Sequence, residues 1–338
     1  MKDRRNVLVV SGGKWVGMVR QLKQAMSGVS QLRDGRLIVV DMCENAPAGI
    51  FADGFTVVPP ISDPGYIDAL LGLCESQLVR VLVPLIDLDL ERLSPHLEMF
   101  SCIGTSTVCP DESIVRTFLD KAEFRTFAHQ CNLPVPRYVE PNELSHASYP
   151  LFHKPKRGFG SQRCGICRSY PEACSVLDLH PDMLFQEYVR APELSVDGFV
   201  SRTGHAVVCV PRIRDKVVGG EAYQSHTVES PEAHRLALRT MKALADYGFH
   251  GPLNIQMFLT SPPCLIEVNT RLGSGSVLAD VAVNGRLLNS VLEEACGGTA
   301  SGDPSSYSRS ISMFRYLGEV FFHEGAVIAV NPGGAQRD

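Results

Sequence analysis

Three polar side chains stand two residues apart in the run Leu265-Ile266-Glu267-Val268-Asn269-Thr270-Arg271. In a β-strand that spacing turns Glu267, Asn269 and Arg271 to one face. Carboxylate and amide oxygens suit a hard cation such as Mg²⁺, which commonly bridges protein oxygens and nucleotide phosphates. An arginine two residues further on can stabilise charge developing on a transferring phosphoryl group. Asn254 and Gln256 repeat the spacing in the preceding apolar run. An antiparallel pairing would bring Gln256 alongside Glu267. The triplet equally describes the polar edge of a half-buried strand, and by itself it does not decide between the two.

A second cluster is Lys154-Pro155-Lys156-Arg157-Gly158-Phe159-Gly160-Ser161. Glycines separated by one residue let backbone N–H groups approach an anion, and a lysine adds a point charge. A hairpin turn explains the same glycines. No Gly-Lys-Ser/Thr follows them, so this is not a Walker A loop. Ser11-Gly12-Gly13-Lys14-Trp15-Val16-Gly17, with Asp41 downstream, falls short of the full dinucleotide fingerprint. Cys164-Gly-Ile-Cys167 has no second ligand pair at related spacing and reads as strand and turn. His153, His226 and His250 are isolated and read as structural or surface residues.

A frame must hold these groups. In the first hundred residues, strand-like runs at Asn6–Val10, Arg36–Asp41, Thr56–Val58, Arg80–Leu85 and Cys102-Ile103-Gly104 alternate with helical stretches such as Met18–Met26. That alternation predicts a parallel sheet with crossover helices, and the continuously apolar strands predict cover on both faces. Pro110-Asp111-Glu112-Ser113 reads as a helix start, running through Lys121 to about Gln130. Short strands then follow at Pro150–Pro155, Gly165–Arg168, Leu184–Tyr188, Leu194–Val200, Ala206–Val210, Leu253–Leu259 and Cys264–Val268. Pro231–Tyr247 is an amphipathic helix and Val277–Ala295 another. The second half is therefore α+β and mostly antiparallel, with a tail from Asn331 expected to fray.

At 338 residues, 44% hydrophobic and 20% charged, the chain has the composition of a folded protein of about two domains. With 32 Lys+Arg against 37 Asp+Glu it lacks a broad basic face, which argues against nucleic acid as the main partner. No apolar run approaches the roughly 20 residues of a membrane helix, and Val7–Val10 is too short for a secretory signal. The eleven scattered cysteines read as reduced thiols, so a cytoplasmic location is expected.

Taken in order, the motifs resemble the ATP-grasp superfamily, in particular its branch with the carbamoyl phosphate synthetase large subunit and biotin carboxylase. They are Asp120-Lys121, Lys154-Pro155 with Gly158-Phe159-Gly160-Ser161, Phe185-Gln186-Glu187-Tyr188-Val189, Glu193-Leu194-Ser195-Val196-Asp197-Gly198, Asn254-Ile255-Gln256 and Glu267-Val268-Asn269-Thr270-Arg271. The resemblance implies an α/β plus α+β chain: a Rossmann-like, parallel-sheet pre-ATP-grasp domain (1–110), then an ATP-grasp fold (111–338) with a small lid subdomain at about 125–188. It implies that Lys121 and Lys154 contact nucleotide phosphates and that the loop from Gly158 through Gly160 to Ser161 closes over them. Gln186, Glu187 and Val189 fall where adenine is held, and Glu193 where a carboxylate takes the ribose hydroxyls. Gln256, Glu267 and Asn269 match the ligands of Mg²⁺ or Mn²⁺, and Arg271 the arginine at the γ-phosphate. Two departures stand out. Gln256 is a neutral amide where many members have Glu, and Gln186 replaces a more usual acid, so a less negative site would hold its second cation more loosely.

The segment from Arg212 and Arg214 through Gly219-Gly220-Glu221 to His226 borders the phosphates and acceptor in related folds. There an arginine pairs a substrate carboxylate or Glu221 holds an amine, unless the segment is a solvated surface loop. Ser274 and Gly275 could offer backbone donors to an acyl group. The implied activity is an ADP-forming ligase that joins a small carboxylate, activated as an acyl phosphate, to an amine, amino acids included, with a homodimer as one open assembly. A bicarbonate-activating carboxylase or carbamoyl-phosphate-type enzyme is the alternative, opposed by the lack of a biotin-carrier Met-Lys-Met. An NAD(P)-dependent dehydrogenase leaves the lysines and the Glu267 set without a role.

Overall fold

The computed structural model describes residues 4–158, 162–323 and 326–331, so Phe159, Gly160, Ser161 and the tail past Asn331 lie outside the described residues. The chain begins with five short strands, β1 (Asn6–Val10), β2 (Leu37–Asp41), β3 (Gly54–Val57), β4 (Val79–Pro84) and β5 (Ser106–Thr107), joined by helices α1 (Val16–Met26), α2 (Tyr66–Ser76), α3 (Asp87–Leu93) and α4 (Leu97–Cys102). They form one parallel sheet in the order β3-β2-β1-β4-β5. Val7, Leu8, Val9 and Val10 are all fully buried, as continuous apolar strands covered on both faces should be. The strand order reverses direction between β1 and β4, and in open α/β sheets the crevice beyond the strand ends at that point receives ligands.

The expected fifth strand at Cys102-Ile103-Gly104 is instead the end of α4 and a turn, with Gly104 at φ +81°, and the strand begins four residues later. The single helix expected from 112 to 130 is two, α5 (Glu112–Leu119) and α6 (Lys121–Gln130). Asp120 between them has extended backbone, and its carboxylate accepts from Ala122 N and Glu123 N at 2.9 and 3.3 Å. A short acceptor side chain that caps a new helix breaks the old one.

A four-stranded sheet, β6-β9-β7-β8, follows, with β6 (Tyr138–Val139), β7 (Leu151–Pro155), β8 (Gly165–Cys167) and β9 (Met183–Glu187), and α7 (Tyr170–Leu179) before its last strand. The largest sheet is antiparallel, in the order β14-β13-β10-β11-β12-β15. Its strands are β10 (Glu193–Val200), β11 (Ala206–Val218), β12 (Glu221–Thr227), β13 (Gly251–Phe258), β14 (Cys264–Asn269) and β15 (Ser312–Phe314). Helix α8 (Pro231–Asp246) covers it with Ala233, Leu236, Ala237, Met241 and Leu244 buried. The segment after Arg214 is not a surface loop. β11 continues to Val218 and turns through Gly219 (φ +57°) and Gly220 (φ +80°) into β12, a two-glycine hairpin of the kind that needs positive φ at both positions.

The expected helix Val277–Ala295 is also two, α9 (Ser276–Ala282) and α10 (Arg286–Ala295), parted by Asn284 and Gly285 at φ +53° and +81°. A hairpin of β16 (Glu319–His323) and β17 (Ala326–Asn331) ends the described chain. Helices α9 and α10 pack back on the first sheet: Leu287, Leu288, Val291 and Leu292 share one core with Met18, Val19 and Leu22 of α1. Gln21 Nε2 donates to the Val277 carbonyl at 3.1 Å and Arg80 to the Cys296 carbonyl at 3.0 Å. This shared core fixes the parallel sheet relative to the antiparallel one.

Candidate active site

The three sheets meet at a cleft of about 810 Å³. Trp15 and Asp87 reach it from the switch point of the parallel sheet, Lys154 and Gln186 from the four-stranded sheet, and Glu267 and Arg271 from the end of β14. Cross-strand register explains the convergence. Gln256 pairs with Glu267 and Asn254 with Asn269, so both sets stand on adjoining strands. Phe152 of β7 and Tyr138 of β6 both lie opposite Gln186 of β9, which lines Tyr138, Gln186, Phe152 and Lys154 along one face.

Lys154 is only 5% exposed, and among the described residues no carboxylate lies within ion-pair distance of it. Burial pushes its ammonium below the ordinary lysine range, opposed by the charge of Glu267 and by Cys164. Lys121 opens α6; its ammonium donates to the Gly158 carbonyl at 2.9 Å and its backbone N–H to the Lys156 carbonyl. Arg157 pairs with Glu91 at 3.1 Å and Asp120 at 3.4 Å. The described stem of the glycine loop is thus anchored on both sides of the cleft.

Gln186 is 2% exposed and its Oε1 is buried without a hydrogen-bond partner, an acceptor left open beside the cleft. Glu187, one residue on, points the other way and accepts from Arg137 N at 3.1 Å; Val189 lines the cleft and Glu187 does not. Glu193 accepts from Arg214 at 3.0 Å, and the same arginine donates to Gln256 Oε1 at 2.8 Å and to the Gly220 carbonyl. Gln256 Nε2 and Asn269 Nδ2 both donate to Glu267 Oε1, at 2.8 and 3.4 Å. The donor set is one carboxylate and two amides. Among the described residues no group of three or more His, Cys, Asp or Glu forms a metal cage. Such a set fits a hard cation that completes its shell with water and phosphate oxygens, as Mg²⁺ does.

Arg271 donates through Nε and Nη2 to both oxygens of Asp87, at 2.7 and 2.6 Å, and through Nη1 to the Leu272 carbonyl at 3.0 Å. The bidentate pair joins residues 184 apart, and nothing in the spacing of the sequence signals Asp87. Arg212, 3% exposed, is held by Asp197 at 2.6 Å, whose other oxygen accepts from Asn254 and Ser276. Its guanidinium is engaged inside the protein and borders the cleft. Gly275 lies behind it, outside the cleft lining: a Cβ there would sit 2.1 Å from Arg212 Cζ. Ser274 does line the cleft, and its carbonyl accepts from Arg315. Glu221 is paired at 2.8 Å with Lys14 from the turn after β1, so the amine it holds is the chain's own.

Residues 7–108 match the family model described as the PylC-like N-terminal domain, and residues 119–275 match the model of the ATP-grasp domain. No curated protein matches the sequence at a significant level. Among solved structures, the chain is similar to the biotin carboxylase domain dimer of 2-oxoglutarate carboxylase from Hydrogenobacter thermophilus, in complex with MgADP, ADP and bicarbonate. Identity is 14% and the TM-score 0.75, over 92% of this chain and 74% of that one. It is similar to the L-amino acid ligase from Bacillus licheniformis at 16% identity and a TM-score of 0.67, over 89% and 76% of the two chains. N5-carboxyaminoimidazole ribonucleotide synthetase from Thermotoga maritima gives 17% and 0.64, over 88% and 77%. At these identities the likeness is one of fold. No described helix is long and apolar enough to cross a membrane.

Proposed function

We propose, on the premise that this chain belongs to the ATP-grasp superfamily, that it is an ADP-forming ligase joining a small carboxylate to an amine. The observation that carries the reading is the buried, unneutralised ammonium of Lys154, facing Glu267, Gln256 and Asn269 in one cleft. A buried cation without a carboxylate is costly unless a ligand supplies the anion. The MgADP bound by the similar biotin carboxylase domain supports a nucleotide there.

In this reading Lys121, Lys154, Gly158, Gly160 and Ser161 bind the phosphates. Gln186 Oε1 accepts from the exocyclic amine of adenine, the backbone around Glu187 and Val189 holds the ring edge, and Glu193 takes the ribose hydroxyls. Glu267, with Gln256 and Asn269, would hold Mg²⁺ or Mn²⁺, which supplies shielding between phosphate oxygens when bound. A substrate carboxylate oxygen attacks the γ-phosphorus in line and the ADP oxygen leaves; Arg271, held by Asp87, meets the charge on the transferring group. The amine then attacks the acyl carbon, loses a proton, and phosphate departs. Trp15, Ser274 and Glu221 border the space left for the acceptor, and a lid over it would protect the water-sensitive acyl phosphate. Arg212 and Gly275 shape that wall from behind.

We divide the chain at residue 110, with a lid at about 125–188, and place it in the cytoplasm, with a homodimer as the open assembly. The test is release of ADP and phosphate from ATP·Mg²⁺ across a matrix of amino acids and small carboxylic acids, bicarbonate included as the smallest. Turnover that needs both a carboxylate and an amine supports the ligase. Turnover with bicarbonate alone favours the carboxylase alternative. Thermal stabilisation by NADH and none by ATP would favour the dehydrogenase and remove the proposal.

A further inference from the structure

We propose that the ring face of Tyr138 is the counter-surface that holds the Lys154 ammonium at the cleft, making Tyr138 a positioning residue for nucleotide binding. The inference rests on the nucleotide reading of the cleft. Nζ of Lys154 lies 5.5 Å from the centroid of the Tyr138 ring, within the range of a cation–π contact. Lys154 is almost wholly buried and no ion pair joins it to a carboxylate among the described residues. Glu267 and Cys164 line the same cleft and act on the ammonium through their charge, without an ion pair to it among the described residues. The ring is therefore the group placed to compensate its burial.

The arrangement follows from the sheet. β6 and β7 flank β9, and Tyr138 and Phe152 lie opposite the same Gln186. Lys154, two residues beyond Phe152, shares that face. Arg125 also stands over the ring, at 5.0 Å, but it is neutralised by Glu140 at 2.6 Å. The Tyr138 hydroxyl is pushed up to about 12 by burial, with Arg125 lowering and Glu267 raising it, so the ring stays a neutral phenol at working pH. A carboxylate in place of the ring would pair with the ammonium and compete with phosphate oxygens. A quadrupole attracts the cation and leaves its N–H donors free for an anion.

The experiment is calorimetric titration of the whole protein with ATP·Mg²⁺. Tyr138→Leu, which removes the ring, should weaken binding about thirtyfold, the effect of a desolvated cation–π contact. Tyr138→Phe should retain most of the affinity that Tyr138→Leu loses. Phenylalanine analogues at 138 carrying one, two or three ring fluorines keep the shape and drain the π face, and should weaken binding stepwise; they also keep the test open if the leucine variant folds poorly. In a Lys154→Ala background Tyr138→Leu should have little further effect. Equal losses in the Phe and Leu variants, or indifference to fluorination, would overturn the role of the ring while leaving the nucleotide site in place. Wild-type protein that binds no ATP would overturn the nucleotide reading and this inference together.

Discussion

Arg271 commits three of its N–H groups to the protein, two to Asp87 and one to the Leu272 carbonyl, and still borders the cleft. Such a guanidinium is oriented before any substrate arrives, and preorganised charge is what accelerates phosphoryl transfer. Arg271→Ala should lower kcat by on the order of a hundredfold while ATP affinity by titration stays near wild type. Asp87→Asn should lower kcat less and leave KM for ATP unchanged. An Arg271→Ala enzyme at near-normal rate would remove the arginine from the mechanism. Asp89, in the same helix turn, is fully buried, with Oδ1 accepting from Ser11 and Tyr66 and Oδ2 unpartnered. Burial pushes its carboxyl up to about 6 against those hydrogen bonds. A raised acid favours the fold below the unfolded value near 3.9 and loses that contribution as pH rises through about 6. Asp89→Asn should therefore gain on wild type by about 2 kcal/mol between pH 4 and pH 7, read by denaturant unfolding at both. Parallel curves would contradict the assignment. Of these residues, Arg271 is legible in the sequence because its strand spacing is local. Asp87 and Asp89 are not, since their importance comes from chain brought together by the fold.

Strand pairing was the readable part of the site: Gln256 opposite Glu267 follows from two apolar runs with matching polar positions, and the structure has that register. Helix continuity was less legible. Apolar periodicity runs on across Asp120 and across Asn284-Gly285, and only capping and positive φ end the helices there. The β11–β12 hairpin was hidden by polar residues such as Arg212 and Arg214, which look solvated in sequence and are buried against Asp197, Glu193 and Gln256 in the structure. That network holds β10, β11, β13 and the start of α9 in register through one carboxylate. Asp197→Ala would leave the Arg212 guanidinium buried and unpaired, and should cost about 3–5 kcal/mol by chemical denaturation. A loss below about 1 kcal/mol would mean that Arg212 finds water or another partner.

At the level of the whole chain, the cleft exists because α9 and α10 share a core with α1, which fixes the switch point of the parallel sheet opposite β14. The order of motifs made the fold readable in outline; this shared core was not readable, because apolar helix faces do not say what they pack on. Activation of a carboxylate by ATP in the cleft leaves a chemical trace. Its most direct measurement uses ¹⁸O-labelled carboxylic acids with ATP·Mg²⁺ and an amine acceptor, followed by mass spectrometry of the phosphate released. Transfer of one ¹⁸O from carboxylate to phosphate, with one ADP formed per bond, is the expected result. Unlabelled phosphate, or AMP and pyrophosphate in place of ADP, would contradict it.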